Sequence, residues 1–126
     1  MILDAGFLIA VDRGEPLAIA SIAAWEQRAT TLATTEPVVA QVWRGGSQAR
    51  LARLLNAAVV HPFRNGRRVG ALLARSGTSD VVDAHLVDLA ARLGFPVVTG
   101  DVDDLTRLAD AIAATRISIL PWPPPS

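Results

Sequence analysis

The 126-residue sequence contains no cysteine and no lysine. The absence of cysteine excludes disulfide bonds and thiolate metal sites, and it fits a reducing, cytoplasmic environment. Although 51% of the residues are hydrophobic, no run free of charged residues exceeds ten, far short of the roughly 18–20 that cross a bilayer. Asp4 interrupts the N-terminus and no basic segment precedes it, so we do not expect a signal peptide. These absences predict a cytoplasmic protein with no membrane segment.

Acidic residues are absent from the middle of the sequence and arginines are few in the following segment, although the net charge is zero. Residues 37–79 contain seven arginines and no acidic residue, whereas residues 80–110 contain seven aspartates and two arginines. Such a division is compatible with ordinary solvated helix faces, and equally with a polyanion-binding surface beside a cation-binding pocket.

Short apolar runs alternate with helical patterns along the chain. We predict strands at 1–3, 31–35, 58–63, 95–100 and 116–121, and helices at 14–29, 36–44, 47–57, 64–75, 80–93 and 102–114. This alternation predicts an α/β protein, in which a mostly parallel sheet of four to five strands lies between two helical layers, a three-layer α/β/α sandwich. We expect one domain over residues 1–121, and residues 122–126 form a proline-rich tail that cannot join a helix or a central sheet.

The predicted helix 80–93 carries three aspartates that differ in position. On a helical wheel, Asp88 lies opposite the apolar stripe and pairs with Arg92, so we predict that it is a surface residue. His85 also projects from the polar side. Asp80 suits the N-cap of the helix. Asp83 lies at the edge of the apolar stripe, where a carboxylate needs a partner.

Two further aspartates follow strands: Asp4 ends the first, and Asp101 comes directly after 95–100. Asp101 has a second interpretation as a helix cap. Binding sites in parallel sheets lie at the carboxyl ends of strands, so Asp4, Asp83 and Asp101 can converge there. Carboxylates that close destabilise a fold unless a cation lies among them. Oxygen ligands suit the hard ions Mg²⁺ and Mn²⁺.

The chain resembles the PIN-domain family, specifically the VapC-like ribonuclease toxins of type II toxin–antitoxin pairs. Four segments in the right order carry the resemblance: ILDAGFLIAV, TTEPVVAQVWRGG, SDVVDAHLVDLA and PVVTGDVDDL. It implies a PIN-like α/β/α fold, cleavage of RNA with Mg²⁺ or Mn²⁺, inhibition by a cognate antitoxin protein, and a homodimer.

The resemblance also implies roles for individual residues. The catalytic and metal-binding residues would be Asp4, Asp83 and Asp101. Supporting residues would be Asp80, Asp103, Asp104, Thr99 and Gln41. The arginine-rich middle segment would hold the RNA backbone, with Arg44, Arg50 and Arg53 as candidate RNA-binding residues.

One position departs from the family pattern: Gln41 stands where relatives usually have an acidic residue. An amide can ligate a cation or orient a water, but it brings no charge and cannot act as a base. The alternative function is therefore a PIN-like module that binds RNA or a partner protein with weak or no nuclease activity. Other α/β proteins with clustered aspartates fit less well, since receiver domains need a lysine and haloacid dehalogenase-type phosphatases need D-x-D after the first strand.

Overall fold

Five short strands form one sheet in the computed structural model, which describes residues 1–112 and 116–125. The strands are β1 (Ile2–Leu3), β2 (Ala33–Thr35), β3 (Val59–His61), β4 (Val97–Thr99) and β5 (Ile119–Pro121). Their order across the sheet is β3-β2-β1-β4-β5, and neighbouring strands run parallel throughout. The predicted parallel sheet is confirmed, and each strand falls within its predicted segment.

Within the described residues, seven helices connect and flank these strands. They are α1 (Ala5–Asp12), α2 (Pro16–Gln27), α3 (Glu36–Val42), α4 (Ala49–Ala57), α5 (Gly66–Ser76), α6 (Val81–Leu93) and α7 (Val102–Asp110). Six of them match predicted helices. The end of the predicted helix 102–114 (residues 113 and 114) and the last residue of the predicted tail lie outside the described residues. None of the described helices is long and apolar enough to cross a membrane.

Helix α1 was not predicted from the sequence. Its residues AGFLIAVD are apolar except for the last, and four of them are buried: Phe7, Leu8, Ala10 and Val11. A helix that is apolar on most of its surface has no polar face, so it lacks the periodicity that identifies amphipathic helices. Phe7 packs against Trp25 at a ring-centroid distance of 5.3 Å and against Trp122, in the predicted tail, at 4.7 Å.

The helices form two groups by their packing. Helix α1 contacts α2, α3 and α4, whereas α5, α6 and α7 contact one another. Right-handed crossovers between parallel strands place these groups on opposite faces of the sheet, as in a three-layer sandwich. From β1, the strands β2 and β3 extend the sheet to one side, whereas β4 and β5 extend it to the other, so the strand order reverses between β1 and β4. A crevice at the carboxyl ends of these two strands is therefore the expected ligand site.

Helix α6 is more deeply buried than its sequence indicates. All residues from 83 to 90 are buried, and both α5 and α7 pack against this helix. The predictions that Asp88 and His85 are surface residues were therefore wrong: their exposed fractions are 3% and 0%. A helical wheel assumes one dry face, and it fails for a helix that is covered on several sides.

Candidate metal centre

Asp4 connects β1 to α1 and is buried at the carboxyl edge of the sheet. Its backbone is extended, and it is the N-cap of α1, where Oδ1 accepts a hydrogen bond from the Ala5 N–H at 2.7 Å. The other oxygen, Oδ2, accepts a hydrogen bond from the Thr99 hydroxyl at 2.6 Å. Both oxygens of Asp4 are thereby fixed in orientation.

Thr99, the last residue of β4, joins two of the candidate acids. Its side chain is fully buried, and while its hydroxyl donates to Asp4 it accepts a hydrogen bond from the Asp101 N–H at 2.9 Å. A single hydroxyl can donate one bond and accept another, so Thr99 sets the position of Asp4 relative to the loop that carries Asp101. The structure thus places this predicted supporting residue between two predicted ligands.

Helix α6 brings the third acid to the same edge of the sheet. It directly precedes β4 in the chain, so the helix ends near the start of β4 and begins at the carboxyl ends of the parallel strands. Asp80 is its N-cap, as predicted, and its Oδ1 accepts a hydrogen bond from the Asp83 N–H at 3.0 Å. Asp80 itself is exposed, whereas Asp83 retains only 7% exposure. The cap fixes the first turn of α6, and Asp83 projects from that turn into the crevice.

Asp101 stands at the N-cap position of α7, but its side chain makes no capping hydrogen bond. The helix-cap interpretation of its carboxylate is therefore wrong, and the exposed side chain is free to bind something else. Asp103 and Asp104 follow in the first turn of α7, and both line an open cleft of about 310 Å³ together with Asp101.

The structure brings Asp4, Asp83 and Asp101 together. One carboxylate oxygen from each lies within 4.8 Å of the others. Among the described residues none of the three forms an ion pair, since both ion pairs found there involve Asp88. Three carboxylates without a basic partner are compatible with a shared cation, and oxygen donors without histidine or cysteine fit a hard ion such as Mg²⁺ or Mn²⁺.

The acidic environment changes the protonation of these side chains. Burial, together with the smaller effects of the nearby charges of Asp80, Asp4, Asp101 and Asp104, raises the pKa of Asp83 to about 7. Burial also raises the pKa of Asp4, against the opposing effect of its hydrogen bonds from Thr99 and Ala5. A cation among these groups would favour their charged forms.

Gln41 and Arg44 lie at the end of α3, and both are exposed. Within the described part of the chain, the Gln41 side chain makes no hydrogen bond. The Arg44 guanidinium donates to three backbone carbonyls near the end of α3, those of Ala40, Gln41 and Trp43, at 2.8–3.2 Å. Arg44 therefore caps a helix, which is a structural role that the sequence did not reveal.

The other two candidate RNA-binding arginines lie on α4, away from the acids. Arg50 donates to the Asp12 carbonyl at 3.3 Å, at the opposite end of α1 from Asp4, and a helix of eight residues is about 12 Å long. Arg53 lines an apolar groove between α2 and α4, with Ile19 and Leu54. The structure does not bring Arg50 or Arg53 to the acidic cluster.

A different arginine does lie there. Arg107 of α7 lines a cleft of about 270 Å³ together with Asp80, Asp83 and Asp104. The sequence showed Arg107 only as a basic residue within an acidic segment. Its position two turns into α7 and its i,i+3 spacing from Asp104 were the available signals, but they acquire meaning only once α6 and α7 are known to be neighbours.

The model of the PIN domain family matches residues 1–111. The chain belongs to the PIN domain family. Among solved structures, it is similar to VapBC2 from Rickettsia felis, described as bound to a DNA fragment from their promoter, with a TM-score of 0.69, 14% identity, and coverage of 96% of this chain and 97% of that one.

PAE2754 from Pyrobaculum aerophilum is also similar, with a TM-score of 0.61, 20% identity, and coverage of 94% and 81%. A search among curated proteins finds no significant match. At these levels of identity, the similarity to the two solved structures concerns the fold.

Proposed function

We propose that this PIN-domain protein is a metal-dependent endoribonuclease that acts in the cytoplasm as the toxin of a toxin–antitoxin pair. The observation that carries the proposal is the convergence of Asp4, Asp83 and Asp101, whose oxygens lie within 4.8 Å of one another without a basic partner among the described residues. Membership of the PIN family supports a nuclease. The sequence motifs and the fold shared with VapBC2 support a toxin with an antitoxin partner.

Asp4, Asp83 and Asp101 would hold Mg²⁺ or Mn²⁺. When bound, such an ion lowers the pKa of a coordinated water and neutralises charge that develops on phosphate oxygens. The protein residues supply the arrangement: Thr99 and the Ala5 N–H orient Asp4, and Asp80 fixes the turn that presents Asp83. Asp104 and Asp103 add negative charge at the mouth of the site, which attracts a cation before RNA arrives.

The raised pKa of Asp83 links metal binding to pH in this proposal. With its pKa raised to about 7, Asp83 is partly protonated near neutral pH in the metal-free protein, and binding of the cation would release this proton. Metal affinity should therefore increase with pH through this range. Asp83 then acts as a ligand and not as a proton carrier once the cation is bound.

The test is an RNA cleavage assay with purified protein, a single-stranded RNA and either Mg²⁺, Mn²⁺ or a chelator. We expect cleavage that requires the metal and is lost in Asp4→Asn, Asp83→Asn and Asp101→Asn. Asp110→Asn is the matched control, since this exposed residue at the end of α7 loses the same charge outside the cluster. Equal cleavage by the three cluster variants and the control would contradict the proposal.

The toxin assignment has its own test. Expression of the chain without an antitoxin should arrest growth, and the same three substitutions should relieve the arrest. Arrest that persists in all three variants would separate any toxicity from the acidic cluster.

Gln41 favours the alternative function, a module that binds RNA or a partner protein without cutting. Gln41 is exposed and uncharged, and it stands at a position where the resemblance to the PIN-domain family implies an acidic residue. Absence of cleavage by the native chain, together with retained RNA binding, would support this alternative. A gain of activity in Gln41→Glu would show that the nuclease site is attenuated, and a loss would show that it works with the amide.

A further inference from the structure

The acidic cleft creates an electrostatic problem for an RNA substrate. Asp80, Asp83 and Asp104 line it, and Asp101 and Asp103 lie next to it. A divalent cation offsets two of these charges, which leaves the entrance negative towards an incoming polyanion. A phosphate that enters this cleft therefore needs a further cationic partner.

Arg107 is the single basic residue among the side chains that line these two clefts in the described structure. In an α-helix a long side chain points back towards the N-terminus, which directs the guanidinium of Arg107 towards the turn that carries Asp104. Within the described residues, the Arg107 side chain nevertheless forms no hydrogen bond. It also forms no ion pair there, since both ion pairs involve Asp88. Arg107 is exposed at the cleft, and its donors are available to an external anion.

We propose that Arg107 binds a backbone phosphate of single-stranded RNA in the cleft between the start of α6 and α7. The phosphate would be a neighbour of the one that is cleaved. Guanidinium groups suit this task, since their planar donors can form two hydrogen bonds to one phosphate. This inference rests on the proposed function and identifies the side that the substrate occupies. It replaces Arg50 and Arg53, which lie on the other helical layer, as the phosphate-binding residue.

Binding and cleavage should be measured separately. Binding is followed by fluorescence anisotropy of a short labelled single-stranded RNA, with Ca²⁺ in place of Mg²⁺, at several salt concentrations. Three variants each lose one positive charge: Arg107→Ala in the cleft, Arg53→Ala on α4, and Arg28→Ala at the end of α2 as the control. All three change the net charge equally, so a difference between them reports position.

We expect Arg107→Ala to weaken RNA binding about tenfold and to reduce the slope of log K against log salt by about 0.7, the value for one phosphate contact on a single strand. Arg53→Ala and Arg28→Ala should leave both quantities unchanged. Arg107→Lys should retain the slope and lose part of the affinity, because the charge remains and the planar fork does not. In the cleavage assay, Arg107→Ala should raise KM more than it lowers kcat.

A purely structural role for Arg107 predicts a different result. Arg107 lies in the last turn of α7, where a positive charge interacts favourably with the helix dipole. If this were its role, Arg107→Ala would lower the thermal unfolding midpoint without a specific change in the salt dependence of RNA binding. If Arg107→Ala does not fold, Arg107→Gln decides the question in the same two measurements. RNA binding by Arg107→Ala that equals that of Arg28→Ala, with an unchanged slope, would overturn the inference.

The outcomes separate this inference from the proposed function. If the native chain and Arg107→Ala bind and cleave RNA equally well, the proposed nuclease function stands and the role of Arg107 is wrong. RNA binding that depends on Arg107 without any cleavage leaves the inference in place and removes the nuclease.

Discussion

Asp83 and Asp88 are both buried and lie five residues apart on α6, yet the protein treats them differently. Asp88 forms ion pairs with two arginines, Arg68 of α5 at 2.9 Å and Arg92 one turn later at 3.1 Å, and Arg92 also donates a hydrogen bond to it. Asp83 has no basic partner among the described residues, and it faces other carboxylates instead. A buried charge that the protein itself neutralises is structural, whereas one left among like charges indicates a ligand from outside.

The largest expected difference between the two is in activity. Asp83→Asn should reduce RNA cleavage about 10³-fold, since a metal site typically contributes several kcal/mol of transition-state stabilisation. Asp88→Asn should keep activity within a few-fold at temperatures where it remains folded. Initial rates at saturating Mg²⁺ measure both. Comparable losses in the two variants would erase the distinction between the structural and the functional carboxylate.

The order reverses for stability. Loss of one partner from a buried ion pair costs about 3–5 kcal/mol, but the Arg68 side chain is 61% exposed, so we expect Asp88→Asn to lower the free energy of unfolding by about 2 kcal/mol. Asp83→Asn should leave it unchanged or increase it in the absence of metal, because like-charge repulsion falls. Urea unfolding in the presence of a chelator measures both variants. A larger destabilisation by Asp83→Asn than by Asp88→Asn would contradict this.

A smaller effect concerns pH. The folded chain keeps a proton on Asp83 up to about pH 7, whereas the unfolded chain releases it near pH 4. The raised pKa therefore contributes stability that is fully present below about pH 4 and is lost as the pH rises through about 7. The difference in unfolding free energy between the native chain and Asp83→Asn, measured without metal from pH 4 to 8, should follow this direction. The altered pKa of His85 is common to both proteins. A difference in unfolding free energy that is independent of pH would contradict the raised pKa of Asp83.

The smallest expected effect involves His85, which lies between the two aspartates. It is fully buried, and neither ring nitrogen has a hydrogen-bond partner in the described structure. Burial lowers the pKa of this histidine, and the Arg92 charge acts in the same direction. His85→Leu should therefore stabilise the fold by about 1 kcal/mol, because it removes unsatisfied polar atoms. Urea unfolding at pH 7, beside His61→Leu as a control, measures this, and destabilisation would indicate that His85 has an unseen partner.

Local patterns in the sequence predicted the sheet and six helices, because each strand or helix there has a period and boundary signals of its own. They also predicted which aspartates converge, since the carboxyl ends of parallel strands share one edge. Helix α1 was missed because its sequence lacks a polar face. The N-cap role of Asp4 was missed with it.

The burial of Asp88 and His85 could not be predicted for a different reason. It depends on the packing of α5 over α6, and the sequence of neither helix alone reveals this contact. The same holds for Arg107, which reaches the acidic site only because α6 and α7 are neighbours. Arg44, conversely, looked available for RNA but caps the end of α3. Propensity and periodicity describe single elements, whereas the surroundings of Asp88, His85 and Arg107 are determined by pairs of elements.

The most direct test of the central claim is calorimetric titration of Mg²⁺ or Mn²⁺ into the purified native chain, Asp83→Asn and Asp88→Asn, under conditions where all three are folded. We expect the native chain and Asp88→Asn to bind the cation with similar affinity, and Asp83→Asn to lose binding. Equal binding by all three proteins, or no binding by the native chain, would contradict a metal site at Asp4, Asp83 and Asp101.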